Sequence, residues 1–366
     1  MIVGVPREIK VQEYRVALTP EGVTELVKNG HTVWIEKDAG VGSSISNEDF
    51  VQAGAKIIDS VEELWQGSDL ILKVKEPIEA EYSRMKEKQI LFTYLHLAAS
   101  KACTDALIKS KTTSIAYETV EVDGALPLLV PMSEVAGRMA TQVGADALLK
   151  PKGGRGVLLA GVPGVSPGKV VVIGGGIAGL NAAVIALGMG ADVTVLDRSA
   201  KRLAQIDQIY SGRIKTLMSS TASIQKSIYD ADLVIGAVLI PGARAPKLVN
   251  NKDVSKMKPG SVLVDIAIDQ GGCFEDSKPT THENPTYTVH NSVFYCVANM
   301  PGAVPVTSTY ALTNVTLPFA IQIANLGWEK ALKQNPDLAK GLNTHDGKVT
   351  YKAVADAHGY EFSQVL

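Results

Sequence analysis

Four side chains stand out as able to act on a small polar molecule: Arg15, Lys75, His96 and Asp269. Arg15 follows the apolar stretch IVGVP, Lys75 closes LILKVK, His96 closes QILFTYLH and Asp269 follows SVLVDIA. Parallel sheets gather their functional loops at the carboxyl ends of the strands. The first three residues are therefore expected along one sheet edge, with Asp269 at the corresponding edge of a second sheet. A guanidinium grips a carboxylate through paired hydrogen bonds, and Lys75 adds a second positive charge or polarises a keto oxygen. Imidazole is the side chain that gives and takes protons near neutral pH, which marks His96 as the acid/base candidate. Asp269 suits stabilising a cationic intermediate and orienting an amine or a ribose. The set fits oxidation of an amino acid to an iminium, which takes up water and then loses ammonia. Each residue also has a plain structural reading: a solvated loop charge for Arg15, edge-strand protection for Lys73 and Lys75, a core histidine, a loop-capping aspartate.

A second constellation concerns a cofactor. Gly174-Gly175-Gly176-Ile177-Ala178-Gly179 fits G-x-G-x-x-G directly after the strand-like VVVI and before the helix-like LNAAVIALGMG. Gly174 is expected to permit a tight turn, Gly176 to let backbone approach a pyrophosphate, and Gly179 to bring helix and strand close. Asp197 ends the next strand, about 20 residues on, where its carboxylate accepts ribose hydroxyls and repels a 2′-phosphate. NAD is thus expected rather than NADP, although Arg198 and Arg202 lie near enough to complicate that choice. The stretch Val170–Ala191 lacks charge and contains a GxxxG, but β-branched residues running into three glycines read as strand, turn and helix rather than as a membrane span.

The elements needed to position these residues are present in order. IVGVP, TVWIEK, AKIID, LILKVK, QILFTYLH and TSIAYE alternate with helix-compatible segments, and KVVVIGGG, DVTVLD, RIKTLM, DLVIGAV, SVLVDIA and FYCVANM form a second series. The expected class is α/β, with two Rossmann-like domains, each a mostly parallel sheet with helices on both faces, and a cleft between them. A discontinuous domain of residues 1–134 plus 303–366 and a second domain of residues 135–302 follow from this pattern. Thr19 and Pro20 read as the cap and first residue of a helix. A linking helix capped by Ser133 is expected to run to Lys150, and the chain beyond Thr307 reads as helices without further strand signal.

Composition excludes several classes. The 366 residues exceed what one core usually organises. A net charge of −2 without basic runs argues against nucleic acid. Cys103, Cys273 and Cys296 are too scattered for a metal or disulfide framework, which favours a reducing compartment. The start MIVGVPREIK meets charge before any apolar run forms, so a cytoplasmic location is expected rather than secretion. His282, Glu283 and His290 lack helical zinc spacing, and no metal is expected.

The segments VPREIKVQEYRVALTP, LKVKEP, LFTYLHLAA, PMSEVAGRMA, DIAIDQGGCFE and VANMPGAVP resemble, in order and along essentially the whole chain, those of the alanine dehydrogenase and pyridine nucleotide transhydrogenase family. The resemblance implies reversible NAD-dependent oxidative deamination of L-alanine to pyruvate and ammonium. It gives substrate binding to Arg15 and Lys75 and catalysis to His96 and Asp269. Around the cofactor it implies Ser133, Ile177, Ala178, Asp197, Arg202, Ser219, Val238 and Leu239, with the stretches around Ile266 and Asn299–Met300. Arg202 stands where other members have lysine. A homohexamer is also implied. The alternatives are a transhydrogenase-type subunit passing hydride through a partner protein, and an NAD-binding regulator without catalysis. Against the first, no membrane span is expected and the full set of Arg15, Lys75, His96 and Asp269 is present.

Overall fold

The computed structural model describes residues 1–238 and 245–366. Its strands are, in chain order, β1 (Ile2–Val5), β2 (Thr32–Glu36), β3 (Lys56–Ile58), β4 (Leu70–Leu72), β5 (Ile90–Thr93), β6 (Thr113–Ala116), β7 (Lys169–Ile173), β8 (Asp192–Asp197), β9 (Lys215–Met218), β10 (Leu233–Gly236), β11 (Val262–Asp265), β12 (Thr286–Val289), β13 (Ser292–Tyr295), β14 (Leu342–His345) and β15 (Lys348–Val349). The described residues divide into two compact units, Met1–Met132 with Val304–Leu366, and Ser133–Ala303.

In the first unit the strand order is β15-β14-β6-β5-β4-β1-β2-β3. All pairs from β6 to β3 are parallel, while β14 joins β6 antiparallel. Residues of β4, β5 and β6 are buried throughout, as expected of central parallel strands covered on both faces, which read as unbroken apolar runs rather than alternations. Edge protection is therefore not the role of the lysines after β4, since that strand lies between β5 and β1. Thr19 does cap the helix Pro20–Lys28, its hydroxyl accepting from the Gly22 N–H.

The second unit orders its strands β12-β13-β11-β10-β7-β8-β9, parallel except for the β12–β13 hairpin. Both units are thus mostly parallel, Rossmann-like α/β sheets.

Three expectations need correction. The linking helix spans Val130–Ala147, so Ser133 lies inside its first turn rather than capping it. The Leu126 carbonyl already accepts from the Val130 N–H, starting the turn earlier. The C-terminal stretch is not purely helical: β14 and β15 form a hairpin about Asp346-Gly347, both at positive φ, the Asp-Gly signal of a tight primed turn. Likewise β12 adds a strand before the expected β13, turning at His290 with φ 50°.

Candidate active site and cofactor turn

In the first unit, β1, β4 and β5 are neighbours, and Arg15, Lys75 and His96 lie in the segments leaving their carboxyl ends. Pairing continues past the strands, with the Tyr94 N–H donating to Val74 O at 3.3 Å, so the segments carrying Lys75 and His96 leave the sheet side by side. Arg15 is not a solvated charge, being only 2% exposed. Its Nε and Nη2 donate to the two oxygens of buried Glu13 at 2.6 and 2.5 Å, and Nη1 lies 2.9 Å from Met132 Sδ. Burial works against the charge, but the Glu13 hydrogen bonds and charge outweigh it and hold the guanidinium pKa above its ordinary value.

The two lysines after β4 part company. Lys73 is fully buried between Glu8 Oε2 at 3.0 Å and Glu81 Oε1 at 2.8 Å. Burial disfavours its ammonium, yet those two carboxylates raise its pKa. Lys75 is only half-buried, and its backbone N–H donates to Glu8 Oε1 at 3.4 Å beside the stronger Val74 bond at 2.6 Å. One buried carboxylate therefore ties the chain on which Lys75 stands. Desolvation pushes the Glu8 carboxyl up, only partly opposed by Lys73.

His96 is not a core residue either. Its side chain is 43% exposed and its backbone left-handed, at φ 49° and ψ 37°. Glu118 holds this bend, accepting from the N–H groups of Leu95 at 3.1 Å and His96 at 2.5 Å, with its Oε1 3.8 Å from His96 Nδ1. The ring lies parallel to Tyr94, centroids 5.9 Å apart, and the Tyr94 hydroxyl is anchored on Leu128 O. Glu8 and Glu118 were missed from sequence because they reach Lys75 and His96 from distant parts of the chain, and Glu13 was missed although it stands two residues before Arg15.

In the second unit, the glycine turn follows β7 and opens the helix Ile177–Gly188, with Gly176 at its N-cap. Gly174 has φ +102°, and a Cβ there would lie 2.8 Å from Ala237 O. A Cβ on Gly179 would meet Gly174 O at 1.8 Å. At Gly176, by contrast, a Cβ would meet no protein atom within 4 Å. The turn is thus closed behind and open in front, with helix N–H groups at its mouth, a form that fits a dinucleotide pyrophosphate. Asp197 ends β8 and accepts from the N–H groups of Gly175 at 2.7 Å and Ser199 at 2.8 Å, one on each oxygen. A carboxylate oxygen takes two donors, so acceptor capacity remains for ribose hydroxyls. Arg202 Nε donates to Gly175 O at 2.5 Å, so its side chain is tied to the turn itself.

Several other cofactor candidates follow strands of the same sheet. Ser219 donates its N–H to Asp197 O at 2.9 Å, Val238 follows β10, and the Ile266 N–H bonds Gly236 O at 2.9 Å. Asn299, at φ 60°, and buried Met300 follow β13. Ile177 and Ala178 form the first helical turn, and Ser133 lies in the helix Val130–Ala147. That helix approaches the turn at Gly137, where a Cβ would sit 2.1 Å from Ala178 O, a close contact not anticipated from sequence. Leu239 lies outside the described residues. Asp269 is exposed on a single helical turn, Ile268–Gln270, after β11. Its loop is gathered by buried Asp265, which accepts from the N–H groups of Ala267, Cys273 and Phe274 and from the Ser277 hydroxyl.

Comparison with known proteins adds the family. Residues 4–136 match the profile described as "Alanine dehydrogenase/PNT, N-terminal domain", and residues 140–352 match its C-terminal counterpart. The chain belongs to the alanine dehydrogenase/PNT family. Within it, the chain is 62% identical to an alanine dehydrogenase of Mycolicibacterium smegmatis over 356 residues, 97% of this chain and 96% of that one. It is 57% identical to that of Bacillus subtilis over 363 residues, 99% and 96% of the two chains. A solved L-alanine dehydrogenase superposes with a TM-score of 0.96 at 50% identity, covering 98% and 99% of the chains. A transhydrogenase from Sinorhizobium meliloti follows at 0.82 and 26% identity, covering 96% and 100%. Among the described residues no helix is long and apolar enough to cross a membrane.

Proposed function

We infer that this member of the family is an NAD-dependent L-alanine dehydrogenase, converting L-alanine reversibly to pyruvate and ammonium. The observation that carries the reading is that Arg15, Lys75 and His96 lie in the segments leaving the carboxyl ends of three strands side by side in one sheet, in a chain whose full-length relatives bear that name. Residues 1–134 plus 303–366 form the substrate half and residues 135–302 the cofactor half.

Arg15 and Lys75 bind the substrate carboxylate, and Lys75 also polarises the keto oxygen of pyruvate. NAD, when bound, accepts the hydride that leaves the α-carbon. Gly174, Gly176 and Gly179 shape the turn that receives its pyrophosphate. Asp197 accepts the ribose hydroxyls, and Ser133, Ile177, Ala178, Arg202, Ser219, Val238, Ile266, Asn299 and Met300 line the rest of its path. His96, whose Nδ1 faces Glu118, uses Nε2 to take a proton from the water that adds to the substrate iminium, then returns it to the departing amine. Asp269 stabilises the positive charge on the substrate nitrogen. The enzyme works in the cytoplasm as a homohexamer, which light scattering on the purified protein tests.

The deciding assay follows absorbance of NADH as it forms from L-alanine and NAD, and as pyruvate plus ammonium consume it. Turnover by the purified chain alone is expected. Reduction of a second nucleotide only in the presence of a partner protein would replace this reading with the transhydrogenase one, to which the 0.82 superposition gives its footing.

A further inference from the structure

Arg15 meets Glu13 along one whole edge of its guanidinium. Nε and Nη2 donate to separate oxygens of the same carboxylate, at 2.6 and 2.5 Å, and the Arg15 backbone N–H adds a third bond to Glu13 Oε1 at 3.2 Å. Both side chains are buried, with 2% and 0% of their surface exposed. The pair sits in the long connection between β1 and the helix Pro20–Lys28, where Gln12 turns at φ 58°. A guanidinium is planar, so fixing Nε and Nη2 fixes the plane and aims Nη1, here toward Met132 Sδ at 2.9 Å. The same pairing balances the charge of Arg15 within its own loop. A carboxylate arriving at Arg15 must then be met from the Nη1 side, because the opposite edge is committed to Glu13.

We propose that Glu13 is a positioning residue for substrate binding: by clamping the Nε/Nη2 edge of Arg15 it dictates which edge of the guanidinium receives the substrate carboxylate and in what plane. This rests on the reading of Arg15 as a substrate-binding residue. Glu13 itself touches neither substrate nor cofactor in this account. Its contribution is preorganisation, since an arginine held in one plane loses less rotamer freedom when it binds.

The test is steady-state kinetics on Glu13→Gln, Glu13→Asp and Arg15→Lys, with thermal midpoints measured on each. Glutamine keeps the size and one acceptor for Nε but turns an amide N–H₂ toward Nη2, so the guanidinium must rotate. The KM for pyruvate and for L-alanine is expected to rise about tenfold, equivalent to about 1.4 kcal/mol, with kcat within about twofold and the KM for NADH unchanged. Aspartate keeps the charge on a shorter stem, and an intermediate rise of about threefold is expected. Should the glutamine variant fail to fold, the aspartate variant decides alone. A role in folding only would lower the thermal midpoint and leave the KM for pyruvate at its original value, and that result overturns the proposal. A loss confined to kcat or to the KM for NADH overturns it as well. Arg15→Lys separates the two levels. If it raises the KM for pyruvate while the Glu13 variants do not, Glu13 is no positioning residue and the reading of Arg15 stands. If it leaves that KM unchanged, the reading of Arg15 falls and the proposal with it.

Discussion

The loop edges of the two units are built by different means. In the first, each candidate residue is held by a buried or half-buried carboxylate: Glu13 grips the guanidinium of Arg15, whereas Glu8 and Glu118 accept from the backbone N–H groups of Lys75 and His96. In the second, shape comes from backbone conformation, with Gly174 at positive φ, Gly179 against Gly174 O and the Gly175 N–H on Asp197. A site braced by carboxylates fixes charged and polar side chains for a small ionic substrate, at the cost of burying ions that tolerate no loss of a partner. A site made of backbone offers N–H groups to an extended ligand and tolerates no added Cβ.

The largest effect that would sharpen this contrast is expected at His96. His96→Ala should lower kcat about 10²- to 10⁴-fold, while NADH affinity, followed by fluorescence titration, stays near its original value. A variant retaining normal turnover would remove the imidazole from the chemistry and leave the first unit without an acid/base group. In the second unit the expected loss is of binding instead. Asp197→Ala removes a charged acceptor, a change of about 1.5–3 kcal/mol, so KM for NAD should rise roughly 10- to 100-fold with the preference over NADP reduced. Unchanged discrimination between the two nucleotides would end the role of Asp197. Two glycines then separate shape from occupancy. Gly179→Ala must displace Gly174 O, which its Cβ would approach to 1.8 Å, and a stability loss of about 1–3 kcal/mol is expected in thermal or urea unfolding. Gly176→Ala meets only open space, so its thermal midpoint should hold while its affinity for NADH falls. Equal behaviour of the two variants would show that the turn is one packing unit rather than a closed back and an open front.

The same contrast explains what could be read from sequence. The glycine turn was legible because its constraints are local: three glycines at fixed spacing within six residues, a strand before, a helix after and Asp197 at the next strand end. The sheets were legible because β4, β5 and β6, buried on both faces, are continuous apolar runs. Arg15, Lys75 and His96 could be nominated by type and strand end, but the distant supports of Lys75 and His96 could not. Glu8 reaches Lys75 across 67 positions and Glu118 reaches His96 across 22, and no periodicity encodes such distances. The hairpins β12–β13 and β14–β15 were hidden for a different reason, being short antiparallel additions at sheet edges, although Asp346-Gly347 carried the turn signal.

The smallest expected effect tests the charge state of a carboxylate support in the second unit. Asp265 gathers the loop of Asp269 by accepting from three backbone N–H groups and one hydroxyl, with no cation among those donors. Burial lifts its carboxyl above the ordinary value of 3.8, and the hydrogen bonds from Ser277 and the N–H groups only partly oppose this. A folded-state pKa above the unfolded one means that the folded protein binds this proton more tightly. The stabilisation linked to that proton is therefore fully present below the unfolded value and is lost as pH rises through the folded one. Asp265→Asn cannot titrate and turns an amide N–H₂ toward donors, so it should be less stable than the parent by about 1–3 kcal/mol at low pH. The gap between the two thermal midpoints should then narrow as pH rises from about 4 toward neutrality. A gap that widens instead would mean that the N–H groups outweigh burial and hold the Asp265 carboxylate ionised, setting it apart from Glu8, whose carboxyl burial pushes up.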